Sequence, residues 1–382
     1  MNLQSALGDR DLGATIGIAH TRWATHGPPC DRNSHPHASG MVSGSSDFIS
    51  VVHNGIIENY QILKTVLIQR GYVFKSDTDT EVIAHLIHSI HAAGDTGTFK
   101  SAVCAALSQL EGTFAVAVIN AKEPDTLIAA RKGSPLVLGI VDGESPGFDA
   151  SKGNEYFVAS DVAAIVEWTN RVVYLEEAEM VVATREGCVV ETLGPTGHQR
   201  GRSMSVHTVE MDMAAIEKGG YDHFMLKEIM AQPESLRDCM RGRIDALKQG
   251  LSLGGLEEHK AKFQSAQRIV LCACGTSWHA ALVGEYLIEK FARVPVEVEY
   301  ASEFRYRDPI LRAESDIVMV TSQSGETADT LAAVRHAKAA GVFTFGVVNV
   351  IGSTIARETD AGAYLRAGPE IGVASTKAFT AQ

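Results

Sequence analysis

No stretch of the chain stays apolar for the roughly 18–20 residues that a bilayer-spanning helix needs. The start, Met1-Asn2-Leu3-Gln4-Ser5, lacks the charged and then apolar regions of a signal peptide. Cysteine is scarce, with 6 in 382 residues, and its scatter along the chain is unlike a disulfide framework. Cys272 and Cys274 alone form a close pair, and no second Cys/His pair stands at zinc-finger spacing. The Gly-rich, Lys-ended phosphate loop of nucleotide triphosphatases is absent, as is a well-placed dinucleotide-binding fingerprint. The Gly-x-Ser-x-Gly nucleophile elbow is missing too. Basic charge is outnumbered, 34 Lys and Arg against 46 Asp and Glu, for a net charge of −12. That balance argues against a general nucleic-acid surface. The expectation is a cytoplasmic protein without membrane or nucleic-acid partners.

What is present is ordinary globular material. Hydrophobic residues make up 45% and charged residues 21%, which excludes disorder as the main state and leaves a sizeable core for each domain. At roughly 150 residues per domain, the length suits two or three domains.

The first 200 or so residues read as short strands among polar loops, about as many as an α+β sheet domain needs. Ile16–Ala19, Phe48–Val52, Thr113–Ile119, Leu127–Ala130, Leu136–Ile140 and Tyr156–Ala159 are apolar and β-prone. Helices are expected over Tyr60–Arg70, Thr80–His91 and Phe99–Leu110, the second with Asp79 as its capping candidate. Gly, Asp, Ser and Pro mark Asp142–Asn154 as a surface loop, and Gly194–Gly201 as a second turn-rich stretch. The first domain is placed at 1–210. From 211 to 248 an amphipathic helical pattern reads as a linker. The second domain, 249–382, alternates strand and helix: Ile269–Ala273, a helix from Trp278 to Ala292, Val296–Tyr300, Ile317–Thr321, a helix over Thr327–Ala340, and Phe343–Val348. That alternation indicates a parallel sheet. Ile371–Gln382 reads as a Gly-led loop running into a helix.

Five clusters could carry chemistry. His20-Thr21-Arg22-Trp23-Ala24-Thr25-His26-Gly27 follows the first strand, and Arg22 could grip a carboxylate with two parallel bonds. A strand-end arginine beside a packed tryptophan is the plain alternative. His53-Asn54-Gly55 offers an Asn amide and a backbone N–H to an oxyanion, yet Asn-Gly is also the strongest short turn signal, and spacing alone favours the turn. Ser76-Asp77-Thr78-Asp79-Thr80-Glu81 is either a capping box or a carboxylate site for a substrate ammonium, with Asp77 or Asp79 in either part. Cys274-Gly275-Thr276-Ser277 and Ser322-Gln323-Ser324-Gly325-Glu326-Thr327 each set hydroxyls and N–H groups at the start of a helix after a buried strand. Such a place accepts phosphate, or is an ordinary cap. No histidine pair has a convincing third metal ligand, and Cys272 and Cys274 read as buried and inert. No nucleophile emerges.

Together the clusters are recognisable. HTRWATHG (His20–Gly27), VHNGIIEN (Val52–Asn59), DTDTEVIAH (Asp77–His85), ACGTS (Ala273–Ser277), SQSGETADT (Ser322–Thr330) and EIGVASTKAFT (Glu370–Thr380) occur in this order. The chain closely resembles the isomerising glutamine–fructose-6-phosphate aminotransferase family along essentially its whole length. The resemblance implies an N-terminal-nucleophile-type glutaminase domain of αββα layering, here incomplete, followed by an α/β sugar-isomerase lobe with a parallel sheet. It implies hydrolysis of glutamine, passage of ammonia through an internal channel, and conversion of fructose 6-phosphate to glucosamine 6-phosphate. No metal or organic cofactor is implied, and the full-length protein would be a homo-oligomer.

By the same resemblance, Arg22 would bind the glutamine carboxylate, Asp79 its ammonium, and His26 would lie close by. Asn54 and Gly55 would form the oxyanion hole, and Trp23 would gate the channel. Thr276, Ser277, Ser322, Gln323, Ser324 and Thr327 would cradle the sugar phosphate, Gly275 would allow its close approach, and Val373 and Ser375 would border the sugar. The family's nucleophile is an N-terminal cysteine exposed by Met removal. Here Asn2 follows Met1, and Cys30 lies after the Trp loop. A second sugar-isomerase lobe, with the family's Schiff-base lysine, isomerisation carboxylate and ring-opening histidine, has no counterpart either. The sequence therefore reads as a fragment truncated at both ends and inactive alone. The competing reading is a non-catalytic paralogue that binds sugar phosphate. A third, a different glutamine amidotransferase, is opposed by Ser322–Thr330.

Overall fold

The computed structural model describes residues 13–21, 26–40, 49–94, 97–145, 148–151, 153–193, 203–209, 217–245 and 250–382. Arg22, Trp23 and the Gly194–Gly201 turn lie outside the described residues. The chain forms two compact units, Met1–Met211 and Asp212–Gln382.

Among the described residues the first unit has two antiparallel sheets. One has the order β1-β2-β3-β4-β8-β9, from β1 (His37–Ala38), β2 (Ile49–Ile57), β3 (Gly112–Asn120), β4 (Glu123–Lys132), β8 (Glu179–Thr184) and β9 (Gly187–Thr192). The other has the order β10-β7-β5-β6, from β5 (Val137–Val141), β6 (Glu155–Ala159), β7 (Arg171–Tyr174) and β10 (His207–Thr208). Three helices, α1 (Tyr60–Gln69), α2 (Glu81–Ala93) and α3 (Phe99–Leu107), cover one face of the larger sheet.

The period of two along each strand sorts the side chains between these layers. Val116, Val118, Ile128, Ala130 and Met180 join the helix-side core with Ile83, Ile87, Phe99 and Val103. Ala115, Ala129 and Val181 face the other way, against Leu138, Ile140, Val173 and Leu175 of the smaller sheet. Small alanines on the inter-sheet face let the two sheets approach. The layering is helix, sheet, sheet. Beyond the smaller sheet the described residues add a 3-10 turn at Val162–Ala164.

Two expectations fail here. Ile16–Ala19 forms no strand. It carries the β propensity, but a strand exists only through its partners. Asn54-Gly55 makes no turn: it lies inside β2, where Asn54 is registered with Ala115 and Gly55 with Phe114. Gly55 holds φ at +138°, and a Cβ there would stand 2.1 Å from the Thr113 carbonyl oxygen. The glycine serves a close approach of two backbones rather than a reversal.

The second unit is a five-stranded parallel sheet, order β14-β13-β15-β16-β17, preceded by a short hairpin of β11 (Ile244–Asp245) and β12 (Gly250–Leu251). Its strands are β13 (Arg268–Ala273), β14 (Val296–Tyr300), β15 (Asp316–Ser322), β16 (Phe343–Val348) and β17 (Ala361–Tyr364). The helices are α4 (Phe224–Met230), α5 (Gln232–Met240), α6 (Gly275–Ala292), α7 (Ala301–Arg307), α8 (Ala328–Ala339), α9 (Thr354–Glu358) and α10 (Lys377–Ala381). Val270, Cys272, Val318 and Val320 pack beneath α7 and α8, and Ile269, Leu271 and Ile317 face Ala281 of α6. Burial on both faces is why these strands read as continuous apolar runs. The chain leaves β13 toward β14 on one side and returns to β15 on the other. Crevices outside the carboxyl ends of strands at such a reversal are where open parallel sheets bind ligands.

Candidate functional site

In the first unit the candidate residues gather at β2 and the loops beside it. Asp79 precedes α2 but does not cap it. The N-cap is Thr80, which makes no side-chain cap bond, and Asp79 instead accepts the Ile57 backbone N–H at 2.7 Å through Oδ2. Its other oxygen lies 3.8 Å from His26 Nδ1, and the residue is only 3% exposed. The Asp77 carboxylate accepts from Arg32 and from the Asn33 side-chain NH2, and the Asp77 backbone N–H donates to Asn33 Oδ1. Of the two carboxylates, Asp79 is therefore the one beside His26 and β2. Glu81 receives the N–H groups of Lys75 and Ser76 and the Ser76 hydroxyl. Burial alone would raise its carboxyl, but these bonds and His85 overcome that and hold it down to about 2.

His20 Nε2 lies 2.5 Å from Asn54 Oδ1. With the amide oxygen so engaged, the Asn54 NH2 group remains to donate elsewhere. His20 stacks on His35 at 4.5 Å between ring centroids. His35 Nδ1 in turn accepts the His53 backbone N–H at 3.4 Å. His53 is buried between Thr80 Oγ1, 2.9 Å from Nδ1, and the Thr113 carbonyl, 3.4 Å from Nε2. Burial lowers its pKa to about 4, so this ring is neutral near pH 7. A cleft of about 630 Å³ opens beside Asn54, lined also by His20, Tyr156, Phe157 and Ile165. The structure thus brings His26, Asn54, Gly55 and Asp79 onto neighbouring elements. Among the described residues no group of three or more His, Cys, Asp or Glu side chains is arranged to hold a metal.

In the second unit both hydroxyl-rich loops lie at the carboxyl ends of adjacent strands, β13 and β15. Gly275 opens α6 at φ +59°. Ser277 is buried, its carbonyl accepts the Thr321 hydroxyl at 3.2 Å, and Gln382 Nε2 lies 2.8 Å from its Oγ. Ser322 Oγ accepts the Gly325 N–H at 2.9 Å and lies 3.4 Å from Thr327 Oγ1. Ser324 Oγ accepts the Glu326 N–H at 3.2 Å. Serine has one hydroxyl proton. Where a backbone N–H occupies a lone pair, as at Ser324, that proton remains for a ligand, whereas the Ser322 proton can also go to Thr327 Oγ1. Gly325 holds φ at +66°, and a Cβ there would meet Ser353 Oγ at 2.0 Å. Hydroxyls and helix starts at one end of a parallel sheet are groups of the kind that bind anions. Burial pushes the Cys272 thiol well up and the Cys274 thiol up, as inert positions require.

The segment after β17 leaves the same carboxyl end of the sheet. Val373 is 78% exposed. Ser375 donates its hydroxyl to Glu370 Oε2 at 2.6 Å. Glu370 Oε1 accepts from the Thr376 and Lys377 backbones at 2.8 and 2.9 Å. Glu228 of α4, 3% exposed, accepts the Ile371 N–H at 2.6 Å and the Gly372 N–H at 3.1 Å. Sequence reasoning missed both glutamates. Glu228 sits in the stretch read as a linker, and no local pattern ties it to residues 143 or 144 positions away.

Residues 33–167 match the family profile described as a glutamine amidotransferase domain, and 262–382 that of the SIS domain. The isomerizing glutamine–fructose-6-phosphate aminotransferase of Chlorobaculum tepidum is 54% identical over 371 residues, which is 97% of this chain and 57% of that protein. The protein of the same name from Bacteroides thetaiotaomicron is 50% identical over 380 residues, 100% of this chain and 58% of its own length. A solved C-terminal domain of glucosamine-fructose-6-phosphate aminotransferase from Francisella tularensis is 43% identical, covering 43% of this chain and 45% of its own, with a TM-score of 0.40. That overlap is too partial to bear on the fold. The chain spans a little over half the length of the curated relatives it matches.

Proposed function

We propose that this chain, which belongs by sequence along its whole length with the isomerising glutamine–fructose-6-phosphate aminotransferases, takes part in glutamine-dependent conversion of fructose 6-phosphate to glucosamine 6-phosphate. In this reading the first unit binds glutamine and the second holds the sugar phosphate. The observation that carries it is the pair of hydroxyl-rich loops at the carboxyl ends of the adjacent strands β13 and β15. There, Ser324 keeps a hydroxyl proton to donate, and Gly275 and Gly325 hold the left-handed backbone of the two turns.

The proposed roles are those the resemblance implies, supported by the hydrogen bonds at Asp79, Ser322 and Ser324. Thr276, Ser277, Ser322, Gln323, Ser324 and Thr327 receive the phosphate, and Val373 and Ser375 border the sugar. Asp79 takes the glutamine ammonium next to His26. The Asn54 amide and the Gly55 N–H stabilise the oxyanion formed when the glutamine carbonyl is attacked. Arg22 and Trp23 are proposed for the glutamine carboxylate and the ammonia channel on resemblance alone. The division into 1–210, 211–248 and 249–382, a cytoplasmic location and a homo-oligomeric full-length form belong to the same proposal. So does the inactivity of these 382 residues by themselves. Among the described residues no helix is long and apolar enough to cross a membrane.

Calorimetric titration with fructose 6-phosphate tests the reading. Binding by the chain is expected, and Ser324→Ala should weaken it by about tenfold through loss of a hydrogen bond to a charged group. Wild-type protein that binds neither fructose 6-phosphate nor inorganic phosphate would refute the sugar-phosphate assignment. The non-catalytic alternative predicts the same binding and is separated from the main reading by turnover.

A further inference from the structure

We propose that Glu370 is a specificity-determining positioning residue, which turns Ser375 into a pure hydrogen-bond acceptor so that it reads a sugar hydroxyl rather than a phosphate oxygen. The inference rests on the sugar-phosphate reading and deepens it.

The hydroxyls at this end of the sheet are not equivalent. Ser324 has a lone pair taken by a backbone N–H, at 3.2 Å, and can still donate. Ser375 is the reverse. Its single proton is directed to Glu370 Oε2 at 2.6 Å, and a carboxylate only accepts. Ser375 Oγ therefore offers lone pairs alone. A dianionic phosphate also offers lone pairs alone, so the two repel. A sugar hydroxyl carries a proton that Ser375 can accept.

Glu370 is itself held in one orientation. Its Oε1 collects the backbone N–H groups of Thr376, Lys377 and Ala378 at 2.8, 2.9 and 3.4 Å, and the Thr376 hydroxyl at 3.3 Å. These bonds leave Oε2 for Ser375. Glu228 fastens the other end of the loop through the Ile371 and Gly372 N–H groups. The carboxyl end of the sheet thus carries a donor after β15 and an acceptor on the loop after β17. That polarity suits a ligand with an anionic end and a hydroxylated end.

The variant Glu370→Gln probes polarity without changing shape. Its amide oxygen can replace Oε1, which receives only donors, and its NH2 then replaces Oε2. That NH2 donates to Ser375 Oγ, and the serine proton swings toward the ligand. Calorimetry with fructose 6-phosphate and, separately, with inorganic phosphate reads the result. Glu370→Gln is expected to weaken fructose 6-phosphate by about tenfold, the scale of one mismatched hydrogen bond, and to leave inorganic phosphate unchanged. Ser375→Ala should weaken fructose 6-phosphate to a similar degree. The double variant should be no weaker than either single one, because both remove the same contact.

Equal loss of inorganic phosphate in Glu370→Gln would mean a collapsed loop and would overturn the inference. So would wild-type affinity in that variant, or additive losses in the double variant. Wild-type protein that binds fructose 6-phosphate no better than inorganic phosphate would remove the sugar reading itself, and this inference with it.

Discussion

Glu228 and Gly372 occupy each other's space. Both oxygens of the Glu228 carboxylate lie 3.1 Å from the Gly372 nitrogen, and a Cβ at position 372 would stand 2.5 Å from Oε2. The glycine is there because a buried carboxylate needs to reach its backbone. This contact ties α4 to the loop that carries Val373 and Ser375. Cys239 of α5 adds a weaker bond from Sγ to the Ala381 carbonyl at 3.7 Å.

Removal of the Glu228 carboxylate should loosen that loop. Glu228→Ala leaves the Ile371 and Gly372 N–H groups without their acceptor, at a cost of about 1–3 kcal/mol. Amide hydrogen exchange at Ile371 and Gly372 should accelerate by at least about tenfold, while the strands of the sheet keep their protection. Unchanged exchange at both amides would show that the carboxylate does not hold the loop.

Gly325 should tolerate no side chain. Its φ of +66° strains any L residue, and its Cβ would lie 2.0 Å from Ser353 Oγ and 2.7 Å from Val348 Cγ1. Gly325→Ala is expected to destabilise the second unit by about 2–4 kcal/mol and to abolish phosphate binding, since the Gly325 N–H also orients Ser322. A chemical-denaturation curve and a phosphate titration check both parts.

Stability should fall with acid in two stages. His53 is lowered from 6.5 to about 4 by burial, so the unfolded chain takes up a proton there first as pH drops. Its contribution, about 3 kcal/mol, is complete above pH 6.5 and is lost as pH falls through about 4. Glu81 is held at about 2 against an ordinary 4.5, so its contribution is complete above pH 4.5 and is lost toward pH 2. Urea midpoints measured from pH 8 to pH 3 should be flat above pH 6.5 and decline below it. A curve that stays flat down to pH 4.5 would contradict the burial of a neutral His53.

Glutamine hydrolysis should be absent from this polypeptide alone, because among the described residues no cysteine lines the cleft beside Asn54. A glutamate-release assay on the 382 residues should show only background. If a rate appears and disappears in Asn54→Ala, the expectation is wrong and the oxyanion assignment gains support. In a form that does turn over glutamine, Asn54→Ala should lower kcat by about a hundredfold to a thousandfold.

The legible parts of this chain are those whose signal is local. Alternation at Val116, Ala117 and Val118 and the apolar runs of β13 and β15 mark strands because burial on given faces demands them. Hydroxyl-rich loops after β13 and β15 were readable as helix starts for a similar reason, since the start of a helix carries free N–H groups in any context. Motif order along the chain carried the resemblance further than any of these patterns. Ile16–Ala19 misled because propensity does not supply a partner, and Asn54-Gly55 misled because pairing with Phe114 and Ala115 outweighed the local turn preference.

By itself, the sequence determined the two fold classes, the order of the motifs and the side chains available for chemistry, because each depends on residues within a few positions of one another. Tertiary structure alone decided which groups meet. It placed Asp79 on the Ile57 N–H rather than at a helix cap, set His20 against Asn54, and brought Glu228 to Gly372 across 144 positions. A hydrogen bond is directional and short-ranged. Whether a hydroxyl donates or accepts therefore depends on neighbours that only the folded chain supplies.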